Sequence, residues 1–338
     1  MLPLAHVNMR LEFHRRANHV DESNTYQGDV IKGESYWLCS LVLMSWPASE
    51  VTIDDRLVRD LLHEQFPQFD DDECVPVAEG FDNSLWRIGE QHVARFPRRK
   101  MAVTTVENEL RWLPEMAGHV SLPTPLPLMS GAPSERFAWP WSICSWINGV
   151  PGDEIAFDHE GRSARTMATF LRELHTTAPR DAPHNPYRSV ALAANSPTFD
   201  DRLSIVSNRV DADATRRLFA LGVAAPAWRH RAVWLHGDFH PGNIVYQGPN
   251  LVGVVDFGDL CTGDPATDLA GGLLSLPLCA LDEFFHNYGV ADDSMIQRTI
   301  GWAAHFGVLM TALGLVSRPS YLAPGLRALE NATALANS

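Results

Sequence analysis

The chain has 338 residues, 45% of them hydrophobic and 20% charged, with a formal net charge of −14. That length suits one large or two modest domains with a substantial core. The acidic balance argues against a nucleic-acid partner, which needs a basic footprint, and favours attraction of cationic ligands.

The five cysteines (Cys39, Cys74, Cys144, Cys261, Cys279) are an odd number without a C-x-x-C pair. A disulfide framework or zinc knuckle is therefore not expected, and a reducing cytoplasmic setting is. No apolar run is read as reaching the ~20 residues of a membrane helix, so no membrane association is expected. The patch Trp37 to Met44 is too short to span and too far along the chain for a signal peptide.

Residues 1–45 lack periodicity and read as a poorly ordered extension, with Met44 as a possible physiological start. Thr52 is then expected to cap a helix with the apolar stripe Ile53, Leu57, Val58, Leu61, Leu62 and Phe66, ended by Pro67. Three strands follow as a meander: Val75 to Val77, Leu85 to Ile88 and His92 to Phe96. A helix is expected from Val106 to Met116, then an extended Pro-rich connection from Leu122 to Pro127. Trp141 to Trp146 reads as a further strand.

After residue 152 helical patterns dominate: Arg162 to His175, Thr198 to Arg209, Ala212 to Leu221, Pro265 to Leu276, Asp292 to Leu315 and Tyr321 to Ala336. The predicted architecture is a two-lobed α+β protein, with a β-meander lobe over 46–147 and a mainly helical lobe over 148–338.

The chemistry concentrates in His236-Gly237-Asp238-Phe239-His240-Pro241-Gly242-Asn243 and in Asp256-Phe257-Gly258, which ends a Val-rich run. Phosphoryl transfer needs one carboxylate to orient and deprotonate a hydroxyl, and an amide plus a second carboxylate to hold Mg²⁺. Asp238, Asn243 and Asp256 meet that need in the required order. Two rival readings exist for the first loop alone. His236, Asp238 and His240 at alternating positions would suit a metallohydrolase cluster, or the loop is simply a capped turn.

Gly263-Asp264-Pro265 reads as a helix start, with Asp264 as cap, which leaves no room for a long activation segment. Together with Gly237 at a position where protein kinases carry an arginine, this points to a small-molecule kinase. The first lobe must supply a cation for the phosphates. Arg95 is the candidate, with Glu109 as its partner and Glu107 as runner-up. Gly80, Asn83 and Ser84 would lie over the phosphates, and backbone groups of Ser145 to Ile147, Trp146 included, would meet the base. Trp139 and Trp141 read as core, and His175 and His305 as packing residues.

The stretches HGDFHPGNIV, VVDFGDLCTGDPATDLA, WPWSICSWINGVPG and VARFPRR resemble the aminoglycoside phosphotransferase family, from about Trp46 onward. The resemblance implies a protein-kinase-like fold and Mg²⁺-dependent transfer of the γ-phosphate of ATP or GTP to a hydroxyl. It implies Asp238 as catalytic base, Asn243 and Asp256 as metal ligands, and Arg95 with Glu109 as the phosphate anchor. Asp268 and His236 would brace the catalytic loop. Asp259 is a possible contact to the small-molecule acceptor, as are Asp264, Asp282 and Glu283. Related kinases act on macrolides, choline and homoserine, so the acceptor stays open between a cationic antibiotic and a metabolic alcohol, amino acid or sugar. A nucleotide-binding pseudokinase is the rival outside enzymes.

Overall fold

Helix α1 (Asp55–Gln65) starts where the Asp54 carboxylate accepts the Leu57 N–H at 2.9 Å. The cap is Asp54 rather than Thr52: Asp54 has the extended backbone a cap requires, and its charge also suits the helix dipole. The computed structural model describes residues 48–158, 160–290 and 292–338. The extension expected over 1–45, its apolar patch and the proposed start at Met44 lie outside them.

Strands β1 (Cys74–Glu79), β2 (Asn83–Ile88) and β3 (His92–Pro97) form the expected meander. Helix α2 (Val103–Ala117) begins one turn earlier than the apolar stripe indicated. Strands β4 (Pro127–Gly131) and β5 (Trp141–Ser145) complete an antiparallel sheet of order β1-β2-β3-β5-β4. β4 is an addition to the expected elements: its segment continues the Pro-rich connection and pairs only at a sheet edge, where proline is tolerated. Trp141 is fully buried and stacks on Phe96 at 4.7 Å, so it is core. This first core draws on Val58 through Ile143.

Beyond the short β6 (Val150–Pro151) come helices α3 (Ala164–Leu174), α4 (Ser196–Val206) and α5 (Ala212–Ala224). The strands β7 (Val233–Leu235), β8 (Ile244–Gln247), β9 (Asn250–Val254) and β10 (Cys261–Gly263) then frame the two loops of interest. β6, β8 and β9 form one ribbon, and β7 pairs with β10. Helices α6 (Ala266–Ser275), α7 (Leu281–Tyr288), α8 (Asp293–Val316) and α9 (Leu322–Ala336) close the chain. The eight-residue α7 had no long stripe to betray it. The second, larger core gathers side chains from Trp112 to Ala332. The mixed architecture is the bilobal α+β fold expected.

One expectation needs correction. α8 is 24 residues long and apolar enough to cross a membrane by length and composition. The helix itself matches the expected Asp292 to Leu315, but glycine, threonine and His305 interrupt its apolar residues, so no unbroken apolar run stands out. Its most apolar stretch is 78% buried, packed among the neighbouring helices as a core element.

Candidate active site

The loop between β7 and β8 is held from below by Asp268 on α6. This carboxylate is 1% exposed and accepts the N–H groups of His236 at 2.6 Å and Gly237 at 2.9 Å. His175 Nε2 lies 3.2 Å from it, and the same ring accepts the Tyr288 hydroxyl at Nδ1, 2.8 Å away. Gly237 has φ +82°, and a Cβ there would collide with the Asp259 carbonyl oxygen. A side chain at 237 is therefore excluded on both counts.

His236 spends both ring nitrogens internally. Nε2 donates to the Val255 carbonyl at 3.0 Å, and Nδ1 accepts the Asp238 N–H at 3.2 Å. Burial pushes its pKa down, which suits a neutral ring with one accepting nitrogen. The metal-cluster reading of His236, Asp238 and His240 loses its first ligand in this way. Among the described residues no group of three or more His, Cys, Asp or Glu could hold a metal ion.

Asp238 thus emerges at the loop tip with its side chain 35% exposed. Asn243 Nδ2 donates to the Asp238 carbonyl at 2.8 Å and approaches its carboxylate at 3.3 Å. His240 Nε2 stands 3.3 Å from one carboxylate oxygen, and Arg188 Nη2 3.7 Å from the other. Burial opposes the charge, but His240, Arg188 and His236 together hold this carboxyl well below the usual range. Arg188 also donates to the Gly237 carbonyl at 2.7 Å. No motif marked Arg188: it sits in an irregular connection and reaches the loop only through tertiary structure.

Asp256 ends the β9 run with φ 62° and ψ 70°, the only non-glycine among the described residues with positive φ. Asp tolerates this left-handed conformation better than most residues, yet holding it still costs on the order of 1 kcal/mol. The Val255 N–H binds the Asn243 carbonyl at 2.9 Å, which ties the second loop to the first. The Asp256 side chain is 56% exposed. The Asn243 nitrogen is the group engaged with Asp238, and among the described residues no hydrogen bond reaches its amide oxygen. One carboxylate and one amide oxygen suit a hard divalent cation such as Mg²⁺, which takes oxygen ligands and leaves places for phosphate.

From the first lobe, Arg95 on β3 reaches Glu109 on α2 at 3.0 Å and Asp256 at 3.3 Å through the same Nη2. Glu109 is therefore the partner, and Glu107 is exposed on the helix surface. Arg95 and Glu109 have side chains only 6% and 5% exposed. Burial pushes Glu109 up to about 7 against the pull of Arg95, with Asp256 adding to the rise.

The β1–β2 turn carries Gly80, Asn83 and Ser84. Gly80 N–H binds the Asn83 carbonyl at 2.7 Å. The Asn83 side-chain oxygen is buried without a partner, and Ser84 Oγ accepts from Trp86. Arg98 donates to the Gly80 carbonyl at 2.7 Å and pairs with Glu79, while Arg99 pairs with Asp82. The basic run after β3 does more than end the meander, because it clamps this turn.

At the junction after β5, the Ser145 N–H binds Leu126 and the Trp146 N–H binds Gln91. The Ile147 N–H has no backbone acceptor among the described residues, so of these three donors it is open to a base. Asp259 accepts from Asn185 at 2.8 Å, and burial pushes it up to about 7. Asp264 caps the start of α6 through the Ala266 N–H at 3.1 Å, but its carboxylate is also engaged by Arg298 at 2.6 Å, and Glu283 is paired with Arg165. Asp282 is exposed on α7.

A sheet-topped lobe joined to a helical lobe, with two carboxylate loops at the junction, defines a small-molecule kinase of protein-kinase-like fold. The chain belongs to the phosphotransferase enzyme family (APH), whose model matches residues 73–305, more than half of its length. It is thus an enzyme of the class that uses an alcohol group as phosphoryl acceptor. The chain is 29% identical over 199 residues to viomycin phosphotransferase of Streptomyces vinaceus, covering 54% of this chain and 67% of that protein. It is 27% identical over 203 residues to homoserine kinase of Beijerinckia indica subsp. indica, covering 57% of this chain and 61% of that one. Among solved structures, the GDP complex of aminoglycoside 2'-phosphotransferase-IIIa superposes with a TM-score of 0.59 at 21% identity, over 83% of this chain and 99% of that chain. Macrolide 2'-phosphotransferase from Brachybacterium faecium does so with a TM-score of 0.52 at 18% identity, over 80% and 96%. At these identities the two structures establish the fold.

Proposed function

We propose that this protein transfers the γ-phosphoryl group of ATP or GTP to a hydroxyl of a small molecule, with Asp238 at the reacting oxygen. The observation that carries the reading is the convergence of Asp238, Asn243, Asp256 and Arg95. Two loops and a strand, separated in sequence, bring one hydroxyl-orienting carboxylate, one oxygen-only metal pair and one phosphate cation together.

Residues 46–147 would hold the nucleotide, and 148–338 the catalytic loop and acceptor. The Ile147 N–H and nearby carbonyls of Ser145 and Trp146 would meet the base, and the clamped turn at Gly80, Asn83 and Ser84 would cover the phosphates. Arg95, fixed by Glu109, would grip a phosphate oxygen. Mg²⁺ on Asn243 and Asp256 would neutralise charge on the phosphate chain when bound.

Asp238 stays ionised, so it orients the acceptor hydroxyl as a hydrogen-bond acceptor. The hydroxyl oxygen forms a bond to the γ-phosphorus while the bond to the β–γ bridging oxygen breaks. The hydroxyl proton passes to the Asp238 carboxylate, and the nucleoside diphosphate leaves. A strongly depressed pKa makes a poor base for the free hydroxyl, so this transfer belongs late in the reaction, as the oxygen becomes acidic on bonding phosphorus.

The net charge of −14 favours a cationic, aminoglycoside-like acceptor. A metabolic kinase for a sugar, amino alcohol or amino acid is the second reading, supported by the 27% identity to homoserine kinase.

The test is Mg²⁺-dependent release of ADP and GDP, with ATP and GTP, against a panel of aminoglycosides, viomycin, macrolides, amino alcohols and homoserine. Asp238→Ala serves as control. A stimulated signal that falls by roughly 10²–10⁴ in the variant, with nucleotide affinity retained, supports the assignment. Nucleotide binding without stimulation by any acceptor would favour a pseudokinase, and loss of nucleotide affinity in Asp238→Ala would make Asp238 structural.

A further inference from the structure

His240 follows Asp238 by two residues in the catalytic loop, and its side chain is 9% exposed. Its Nδ1 lies 3.1 Å from the Gly242 nitrogen, and its Nε2 lies 3.3 Å from Asp238 Oδ2 and 3.4 Å from Asn243 Nδ2. From the corner between α8 and α9, the Tyr321 ring meets the His240 ring edge-on, with 5.1 Å between centres and 68° between planes. That corner is itself fastened. Ser320 donates to Asp153 at 2.8 Å, and the neighbouring Gly152 N–H binds the Pro241 and Ile244 carbonyls, both at 2.9 Å. A Cβ at Gly242 would stand 2.9 Å from His240 Cε1, so the ring rests on the loop only because residue 242 has no side chain.

These contacts fix where the ring proton sits. The backbone N–H of Gly242 can only donate, so Nδ1 accepts and Nε2 carries the hydrogen. The opposite tautomer would set an Nδ1 proton against the Gly242 N–H and an Nε2 lone pair against Asp238, in exchange for one 3.4 Å bond from Asn243. Nε2–H therefore donates to Asp238 Oδ2, which also receives Asn243 Nδ2 at 3.3 Å. A carboxylate oxygen has two lone pairs, and both on Oδ2 are then used. Oδ1 is left with Arg188 Nη2 at 3.7 Å, beyond hydrogen-bond range, and that guanidinium already donates to the Gly237 carbonyl. The two oxygens of Asp238 thus differ before any acceptor arrives.

We propose that His240 is a positioning residue for Asp238: it ties off Oδ2 and presents Oδ1 to the acceptor hydroxyl, with Tyr321 bracing its ring. The inference rests on the phosphotransferase reading above and deepens it by naming the accepting oxygen. The hydroxyl donates its hydrogen bond to Oδ1. As its oxygen bonds to the γ-phosphorus and the bond to the β–γ bridging oxygen breaks, the proton passes to Oδ1. Oδ2 keeps both of its donors throughout. Without His240, one long hydrogen bond from Asn243 is all that remains on Oδ2, the carboxylate turns about its Cβ–Cγ bond, and the reacting oxygen loses its direction.

The test uses the full chain with isotope-labelled histidine rings. In the long-range proton–nitrogen spectrum the His240 ring, identified by its loss in His240→Gln, should show a protonated Nε2 and an unprotonated Nδ1. Asp238→Asn should shift its Nε2 signal. A protonated Nδ1, or a ring indifferent to Asp238→Asn, overturns the proposal. Rapid-quench phosphoryl transfer is then measured with ATP and GTP, on the member of the panel above that most stimulates nucleotide release, or on water if none does. His240→Ala and Gly242→Ala should each slow transfer roughly 10–10²-fold, with nucleotide affinity within twofold of the parent. His240→Gln keeps an N–H near the Nε2 position and should recover most of the loss seen in His240→Ala. Transfer in His240→Ala as fast as in the parent overturns the proposal. So do equal rates in His240→Gln and His240→Ala with Tm lowered alike, which would make the ring structural only. Failure of the parent protein to bind nucleotide overturns the phosphotransferase reading instead, and the hydrogen bond from His240 to Asp238 is then judged on the ring spectrum.

Discussion

Asp268→Asn is the most informative single substitution away from the reacting groups. The side chain keeps its volume, but one of two accepting oxygens becomes a donor. Those oxygens accept the His236 and Gly237 N–H groups at 2.6 and 2.9 Å, with His175 Nε2 at 3.2 Å. Whichever way the amide turns, at least one buried N–H then faces another N–H. Hydrogen bonds to a charged group contribute ~1.5–3 kcal/mol each, and an orphaned buried donor costs ~1–3 kcal/mol, so losing one or two of the three gives about 3–5 kcal/mol. With an unfolding entropy of ~2.1 cal/mol/K per residue over roughly 290 described residues, Tm should fall by about 5–8 °C. Differential scanning calorimetry measures this directly. The same variant should lose kcat, because the loop bearing Asp238 shifts. Nucleotide affinity should hold, because Arg95 and Asp256 do not depend on Asp268. A Tm within 2 °C of the parent would refute the bracing argument. A loss of nucleotide affinity with unchanged kcat would refute the division of labour.

Asp256→Asn should abolish Mg²⁺-dependent nucleotide binding while leaving Tm nearly unchanged, since asparagine also tolerates the left-handed backbone at this site; unchanged affinity in the presence of Mg²⁺ would remove Asp256 from the metal pair. Gly237→Ala should destabilise by more than the ~1–2 kcal/mol of a left-handed alanine, because its Cβ also meets the Asp259 carbonyl; chemical denaturation reads the difference. Stability should decline as pH rises from about 6.5 to about 7 and level off above that. The folded forms of Glu109 and Asp259 hold their protons up to about 7, above their unfolded values, so their contribution is full below the unfolded carboxyl range and is exhausted once pH reaches about 7. Below pH 6.5 the buried neutral His236 and His305 act in the opposite sense, because the unfolded histidines take up protons that the folded ones refuse. Glu109→Gln should flatten the decline above pH 6.5; an equally steep slope in that variant would show that the ionisation lies elsewhere.

Local pattern sufficed wherever a property repeats along the chain. The stripe from Leu57 to Leu62, the meander from β1 to β3 and the long helices α8 and α9 all announce themselves by period. The grouping of Asp238, Asn243 and Asp256 was legible because each is tied to a turn or strand end by its neighbours. Glu109 was preferred over Glu107 as the partner of Arg95, and burial of that helix face explains the choice. What escaped was tertiary. Arg188 belongs to no motif and reaches Asp238 and the Gly237 carbonyl only because the connection before α4 packs against the catalytic loop. Asp54 was overlooked as the cap of α1 because Thr52, two residues earlier, fits the same rule. The engagement of Asp264 by Arg298 joins positions 34 residues apart, beyond any local spacing rule.

The distribution of the two cores bears on how the chain is made. The first core closes within Val58 to Ile143, so it can assemble while later residues are still being synthesised. The second needs Leu329 and Ala332, near the end of α9. Until those residues leave the ribosome, the apolar face of α8 has no cover from its last partner. During that interval a growing chain presents a 24-residue helix with the composition of a membrane span to whatever sorts nascent chains. Its burial is completed by the fifteen-residue helix Leu322–Ala336, which covers the face that α4, α5 and α6 leave open.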